Sequence, residues 1–357
     1  MDGDQMTSSK GPSGTRPRSR RPDTADPLTI EDVAQAAGVS KTTVSHVLSG
    51  KRPVATATRK HVEKVMQDLG YQPNFFAQAL NNNRSNTIAL VAQDITNPFY
   101  PALARGVQKA VLDSGHVVIL FDGDAGASAT QTFIQDAIQR RVDGMVIAIS
   151  DIDDEIDAVL RARIPVVVVG ASASDLELDW VTSDDARIAE DLVDHFVAAG
   201  HSAIATISGP TNRAPGGARQ IGYRSGLFKH KLPFREDFAI ESDWTTEGGY
   251  RSMQALLTLQ DRPTAVLCAN DLMAIGALDA ARQAGLDVPG DIAVVGVDDI
   301  GAARLVRPAL TTIRVPAEEI GKAAGELLMH RIDNELDLNS PPRHIMIQHR
   351  LIVRESA

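Results

Sequence analysis

From Ile88 onward the chain carries seven short apolar runs: IALVAQ, VVILFD, GMVIAIS, PVVVVG, IATIS, TAVLCA and IAVVGVDD. Turn residues bound each run, and stretches with helical apolar spacing separate them, for example 102–113, 186–199 and 272–284. Continuous apolar strands need cover on both faces, and alternation with helices supplies it by parallel crossovers. The pattern predicts an α/β core of parallel sheets covered by helices. No repeat of solenoid length is present.

A different kind of segment precedes that core. Residues 28–80 read LTIEDVAQAAGVSKTTVSHVLSGKRPVATATRKHVEKVMQDLGYQPNFFAQAL. Thr29 and Asp32 have capping-box spacing, so a helix is expected from Ile30, with Ile30, Val33, Ala34 and Ala37 on one face. Gly38 can adopt positive φ and end it, Val39 can plug the angle, and Ser40 can cap a second helix with Val44, Val47 and Leu48 inward. Lys41, Thr42, Ser45 and His46 then face outward. A third helix over 56–69 buries Val62, Val65, Met66 and Leu69, and Gly70 ends it. This is a helix-turn-helix, whose second helix places short polar side chains where they can reach base edges in a major groove.

The chain closely resembles the LacI/GalR family of bacterial transcription regulators. The resemblance runs from about residue 28 to 353 and rests on TIEDVAQAAGVSKTTVSHVLSGKRPV, GYQPNFFAQAL, IALVAQDITNPFY, GHSAIATISGP, ANDLMAIGALDAARQAGLDVPGDIAVVGVDD and ALTTIRVPAEEIG. It implies an all-α headpiece followed by a two-lobed core like a periplasmic sugar-binding protein. It also implies a homodimer on a palindromic operator and a small-molecule effector in the cleft. Lobe one is expected at about 86–184 with a return near 314–332, and lobe two at about 185–313 with the C-terminal strands. Repression, rather than activation, follows from the family alone.

The expected organisation is a disordered basic arm (1–27), the headpiece (28–72), a hinge helix and linker (73–85) and the effector-binding and dimerisation core (86–357). The arm, rich in Ser, Gly, Pro and Arg, has no apolar face to bury. It either adds non-specific phosphate contacts or is a passive extension. In the hinge, Asn74 can cap a helix so short that it is marginal alone. The resemblance implies that it folds when two copies pair on DNA, with Leu80 as a minor-groove wedge that kinks the duplex; the plain alternative is a linker. The DNA-binding candidates are therefore Thr29, Ser40, Lys41, Thr42, Thr43, Ser45 and His46 in the headpiece and Asn74, Ala77 and Leu80 in the hinge.

The net charge of −10 opposes nucleic-acid binding until it is divided. Residues 1–84 hold 12 Lys+Arg and 8 Asp+Glu, or +4; the rest hold 36 − 12 = 24 and 46 − 8 = 38, or −14. Charge distribution decides where a duplex is met, and here it is at the front. The single cysteine, Cys268, allows no internal disulfide and is read as a core thiol. No apolar run approaches the roughly 20 residues of a membrane span. The N-terminus lacks the apolar centre of a secretion signal. Cytoplasmic residence is expected, with no membrane contact. The ending LIVRESA adds no heptad segment, which favours a dimer over a tetramer.

Open α/β sheets bind ligands beyond the carboxyl ends of their strands. The residues there are Asp94, Asn97, Phe99 and Tyr100 after the first strand and Arg213 and Arg219 after ISGP. Trp244 follows the strand at 239–242, Asn270 and Asp271 follow TAVLCA, and Asp298 and Asp299 follow IAVVGV. Aromatic rings with Asn, Asp and Arg suit a polar ring-shaped effector, a sugar or derivative first and a purine or nucleoside second. Asp271 is expected to cap the helix after it, Asp299 to act locally in the same way, and Tyr100 to be either a site or a core residue. The resemblance supports Phe99, Tyr100, Arg219, Trp244, Asn270 and Asp298 best. Arg213 matches a contact of purine-binding relatives that many sugar-binding members lack.

Two departures from the family stand out. His46 replaces an arginine able to fork onto guanine, which puts operator preference at that base in question. Ala55 stands where a serine cap is common, and Thr56 can serve instead. No enzyme is expected: there is no G-x-G-x-x-G loop, G-x-S-x-G elbow, Walker loop or Cys/His metal spacing, and no cofactor beyond an effector. The competing class is a solute-binding module, a sugar-binding protein without a DNA role.

Overall fold

The computed structural model describes residues 28–50, 52–72, 84–123, 127–149, 153–170, 178–212, 214–333 and 340–357. The chain divides into two compact units, 1–82 and 83–357. The arm (1–27) and the hinge candidates Asn74, Ala77 and Leu80 lie outside the described residues, as does Arg213.

The described residues of the first unit form three helices: α1 (Ile30–Ala36), α2 (Lys41–Ser49) and α3 (Thr56–Leu69). Val33, Ala34, Ala37, Val44, Val47 and Val62 form its core, with Ile30, Val39, Leu48, Val65, Met66 and Tyr71 packed against them. Leu69, expected inside, is 37% exposed. It is the last residue of α3. Nor does Thr56 cap α3: the cap position is Ala55, with no side-chain bond.

The second unit is two six-stranded sheets. Sheet one contains β1 (Thr87–Ala92), β2 (Val117–Asp122), β3 (Gly144–Ala148), β4 (Val166–Val169), β5 (Asp179–Thr182) and β11 (His344–Met346). Its order is β11-β5-β4-β3-β1-β2, all parallel. Sheet two contains β6 (Ile204–Ser208), β7 (Ala239–Glu241), β8 (Ala265–Cys268), β9 (Ala293–Asp298), β10 (Thr311–Arg314) and β12 (Arg350–Ile352). Its order is β12-β10-β9-β8-β6-β7, parallel except for the antiparallel β10–β12 pair.

The helices are α4 (Phe99–Val111), α5 (Ala127–Gln139), α6 (Asp153–Arg161), α7 (Asp185–Ala198), α8 (Gly216–Lys229), α9 (Thr246–Leu257), α10 (Asp271–Gln283) and α11 (Ala317–Asp333). Central strands such as β1, TIALVA, are buried at every position, as cover on both faces requires. One apolar cluster joins Ile88, Leu90 and Leu103 of lobe one to Ile204, Tyr223 and Leu267 of lobe two. No helix among the described residues is long and apolar enough to cross a membrane.

The chain passes between lobes three times: from β5 to α7, from β10 to α11 and from β11 to β12. The second passage returns α11 to lobe one, as expected. The third corrects an expectation. The C-terminal strands do not both join lobe two, because β11 adds to β5 with His344 opposite Trp180. The rings of that pair stack at 4.5 Å, so the join is sealed by aromatic contact as well as by the ladder.

Candidate functional site

In the headpiece, Asp32 Oδ2 accepts the Thr29 N–H at 2.7 Å, and Thr29 Oγ1 accepts the Asp32 N–H at 3.4 Å. These are the two halves of a capping box. Hydrogen bonds from Thr29 hold the Asp32 carboxyl below its ordinary range. Ser40 Oγ accepts the Thr43 N–H at 3.1 Å and starts α2. His61 Nε2 donates to Ala37 O at 3.2 Å, and Arg59 donates to Val47 O at 3.3 Å, fixing α3 to the pair. Lys41 and Thr42 are exposed at the positive end of α2, and Thr43, Ser45 and His46 are half-buried along it. The first turn of α2 holds no acid. The Lys41 ammonium pairs with Glu31 of α1 across exposed surface.

The cleft of the second unit is assembled from both lobes. Asp94 follows β1, and its Oδ1 accepts the Thr96 N–H at 2.7 Å and hydroxyl at 2.6 Å. Asn97 Oδ1 accepts the Phe99 N–H at 3.0 Å as α4 begins. Phe99 and Tyr100, the first residues of α4, meet edge to face at 5.3 Å. From lobe two, the buried Arg219 guanidinium holds Asp185 Oδ1 through Nε at 2.9 Å and Nη2 at 2.8 Å, and its Nη1 donates to Ala269 O. Its carbon lies 6.0 Å from the centre of the Trp244 ring.

Trp244 is set by its neighbours. It sits at φ 69°, and Asn270 Nδ2 donates to its carbonyl at 2.9 Å. Its ring lies flat enough on the backbone after β6 that a Cβ on Gly209 would stand 2.0 Å from a ring carbon. Only glycine admits that approach.

Electrostatics tie the two walls together. Burial pushes the Asp298 carboxyl up to about 7; the Arg219 charge opposes this, Asp185 adds to it, and the Asn97 amide of the opposite lobe opposes it. Burial also raises the Tyr100 hydroxyl, with Asp298 raising it further and Arg219 opposing. Asp298 sits at φ 117°, a conformation that L residues rarely adopt and that clusters at ligand sites. Asp94, Asn97, Tyr100, Arg219, Trp244 and Asp298 are thus near one another, and Phe99 touches this group through Tyr100.

Three carboxylate and amide assignments change. Asn270, not Asp271, caps α10: its Oδ1 accepts the Met273 N–H at 2.8 Å. With both side-chain ends engaged and 2% exposure, Asn270 positions Trp244. Asp271 is buried and accepts the Thr312 hydroxyl at 2.5 Å and the Ile300 N–H at 2.8 Å. Asp299 is no local cap, since it accepts Arg314 Nε at 2.7 Å and also pairs with Arg354. Cys268 is buried, which raises its thiol.

Sequence reasoning missed Asp185 and Gly209. Asp184 and Asp185 both open α7, and Asp184 alone serves as its cap, accepting the Arg187 N–H at 2.9 Å. The second acid of such a doublet is therefore free for another task, a usable signal.

Residues 29–74 match the family model "Bacterial regulatory proteins, lacI family", and 193–357 match a "Periplasmic binding protein-like domain". The HTH-type transcriptional repressor PurR of Erwinia tasmaniensis is 36% identical over 310 residues, covering 86% of this chain and 91% of the relative. A lac repressor dimer bound to operator and the anti-inducer ONPF superposes with TM-score 0.82 at 27% identity, over 93% of this chain and 99% of that one. A complex of the transcriptional regulator CelR with cellobiose gives 0.72 at 30% identity, over 92% and 100%.

Proposed function

This chain belongs to the lacI family of bacterial regulatory proteins and is a DNA-binding transcriptional repressor, and we propose that it acts as a homodimer on a palindromic operator, gated by a small polar ring held between its lobes. The carrying observation is that Asn97 and Tyr100 of lobe one lie within electrostatic reach of Asp298 and Arg219 of lobe two, with the Trp244 ring 6.0 Å from Arg219. A ligand touching both walls has a different affinity for each lobe arrangement, and only such a difference can shift the DNA-binding equilibrium.

The effector is a neutral polyhydroxylated ring, a sugar or sugar derivative. Asp94 and Asp298 offer acceptors for hydroxyls, Trp244 offers a ring face, and Arg219, already holding Asp185, leaves little charge for an anion. The solved relative with cellobiose in its name agrees with this class. On DNA, Lys41, Thr42, Thr43, Ser45 and His46 of α2 enter the major groove, Thr29 and Ser40 flank them, and Asn74, Ala77 and Leu80 act at the operator centre. Such a regulator works in the cytoplasm and needs no cofactor.

Selection of duplexes from a random pool, with and without pooled sugars and pooled nucleosides, tests this. A palindrome whose enrichment changes with the sugar pool is expected. A response to nucleosides alone would move the effector to purines or their nucleosides. No enriched motif at low salt would return the chain to the solute-binding class.

A further inference from the structure

Arg84 is the first described residue after the hinge segment, and it closes on the end of α11. Its Nη2 donates to Ile332 O at 3.0 Å, and Nη1 lies 3.4 Å from Asp333 Oδ1. The next two N–H groups, of Ser85 and Asn86, donate to the Asp143 carboxylate at 2.8 and 2.9 Å. The root of the DNA linker is therefore gripped by lobe one at two points.

The other end of α11 begins three residues beyond Arg314, in the second passage between lobes. Arg314 binds Asp299 through Nε at 2.7 Å and Nη2 at 2.6 Å. Asp299 is the chain neighbour of Asp298, and both have positive φ, 58° and 117°. The cleft floor is thus joined to a residue three positions before α11. The helix is stiff over its 17 residues, about 25 Å.

Its packing joins it to the opposite cleft wall. A Cβ on Gly106 of α4 would stand 2.1 Å from Glu318 O, and one on Gly321 would stand 2.1 Å from Leu103 O. Glu318 also pairs with Lys109 of α4. The helix that opens with Phe99 and Tyr100 is therefore in backbone contact with α11. At the far end, buried Arg331 holds Asp179 of β5 by two bonds of 2.8 Å.

We propose that α11 is the coupling element between cleft and DNA linker, with the Asp299–Arg314 pair at its cleft end and Arg84 at its DNA end. All three are positioning residues, which act through α11. The proposal rests on the repressor reading above for its DNA half only.

Two measurements on the full chain test it. The first is a double-mutant cycle in affinity for the selected operator, using Asp299→Asn and Arg84→Gln. Residues this far apart normally act additively. Coupling through α11 makes the double variant depart from the product of the single effects by more than about threefold. The second is amide exchange at Ser85 and Asn86 without DNA, which Asp299→Asn should accelerate by about threefold or more. Arg314→Gln, at a half-exposed side chain, serves if Asp299→Asn fails to fold. Additive effects within that factor, or unchanged exchange in both variants, would overturn the proposal. If no operator is selected, the DNA reading fails by itself, and the exchange experiment alone decides whether α11 couples.

Discussion

Asn97 of lobe one faces Asp298 of lobe two, where burial pushes the Asp298 carboxyl up to about 7 and the Asn97 amide opposes that rise. The Asn97 amide favours the charged form of Asp298.

The pH dependence has a definite sign. The folded value of about 7 lies above the ordinary 3.8, so the folded state binds the proton more tightly than the unfolded chain. Stability linked to Asp298 is complete below about pH 4 and is lost as pH rises toward 7. Asp298→Asn removes the penalty, and Asn tolerates positive φ. At pH 8 the variant should be more stable by on the order of 2–4 kcal/mol, with the difference vanishing near pH 4. Urea unfolding at both pH values measures it, and a constant difference would remove Asp298 as the source.

Arg219 and Asp185 form a buried ion pair, and breaking one side leaves the other charge without a partner. Arg219→Met should cost about 3–5 kcal/mol in urea unfolding. The double variant Arg219→Met, Asp185→Leu should recover most of that loss. Equal instability in single and double variants would mean that packing, not charge, sets the cost.

Gly209→Ala places a methyl where the Trp244 ring lies. The ring must move, and affinity for the effector recovered from the sugar pool should fall by about tenfold or more (about 1.4 kcal/mol). Operator affinity without effector should stay within about twofold, because the substitution lies outside the headpiece. Calorimetric titration and a DNA-shift assay separate the two. Unchanged effector binding would show that the ring is not a wall of the site.

His46 lies on the outward side of α2, half-buried. His46→Arg adds a guanidinium able to contact guanine O6 and N7 together. Selection from random DNA should then yield a motif changed at one symmetric pair of positions, with preference shifted by about 1–3 kcal/mol. Identical motifs would remove His46 from the base-reading residues.

Much of the architecture was legible because it is specified locally. The end of α3 was readable because Gly70 stops it, while its start was not, and α1 and α2 carry their own capping side chains. What was not legible depends on partners distant in sequence. The strand DWVT at β5 has little apolar signal, and its Asp179 is buried because Arg331, 152 residues away, holds it. Asn270 and Asp271 are equally good caps by type. The choice between them is made by Thr312 and Ile300, which engage Asp271 from other elements. Leu69 was misplaced because periodicity marks a face but not where the packing partner ends. Arg219 was visible as a strand-following cation, while its partner Asp185 was hidden behind a neighbouring acid able to explain the same helix start.

The most direct measurement is reciprocal: operator affinity with and without saturating effector, and effector affinity with and without saturating operator, on one preparation at fixed salt. Ligand gating requires both ratios to be the same factor, typically 5–150-fold, or about 1–3 kcal/mol of coupling. Effector affinity that is identical with and without operator would contradict the account, however tightly each ligand binds alone.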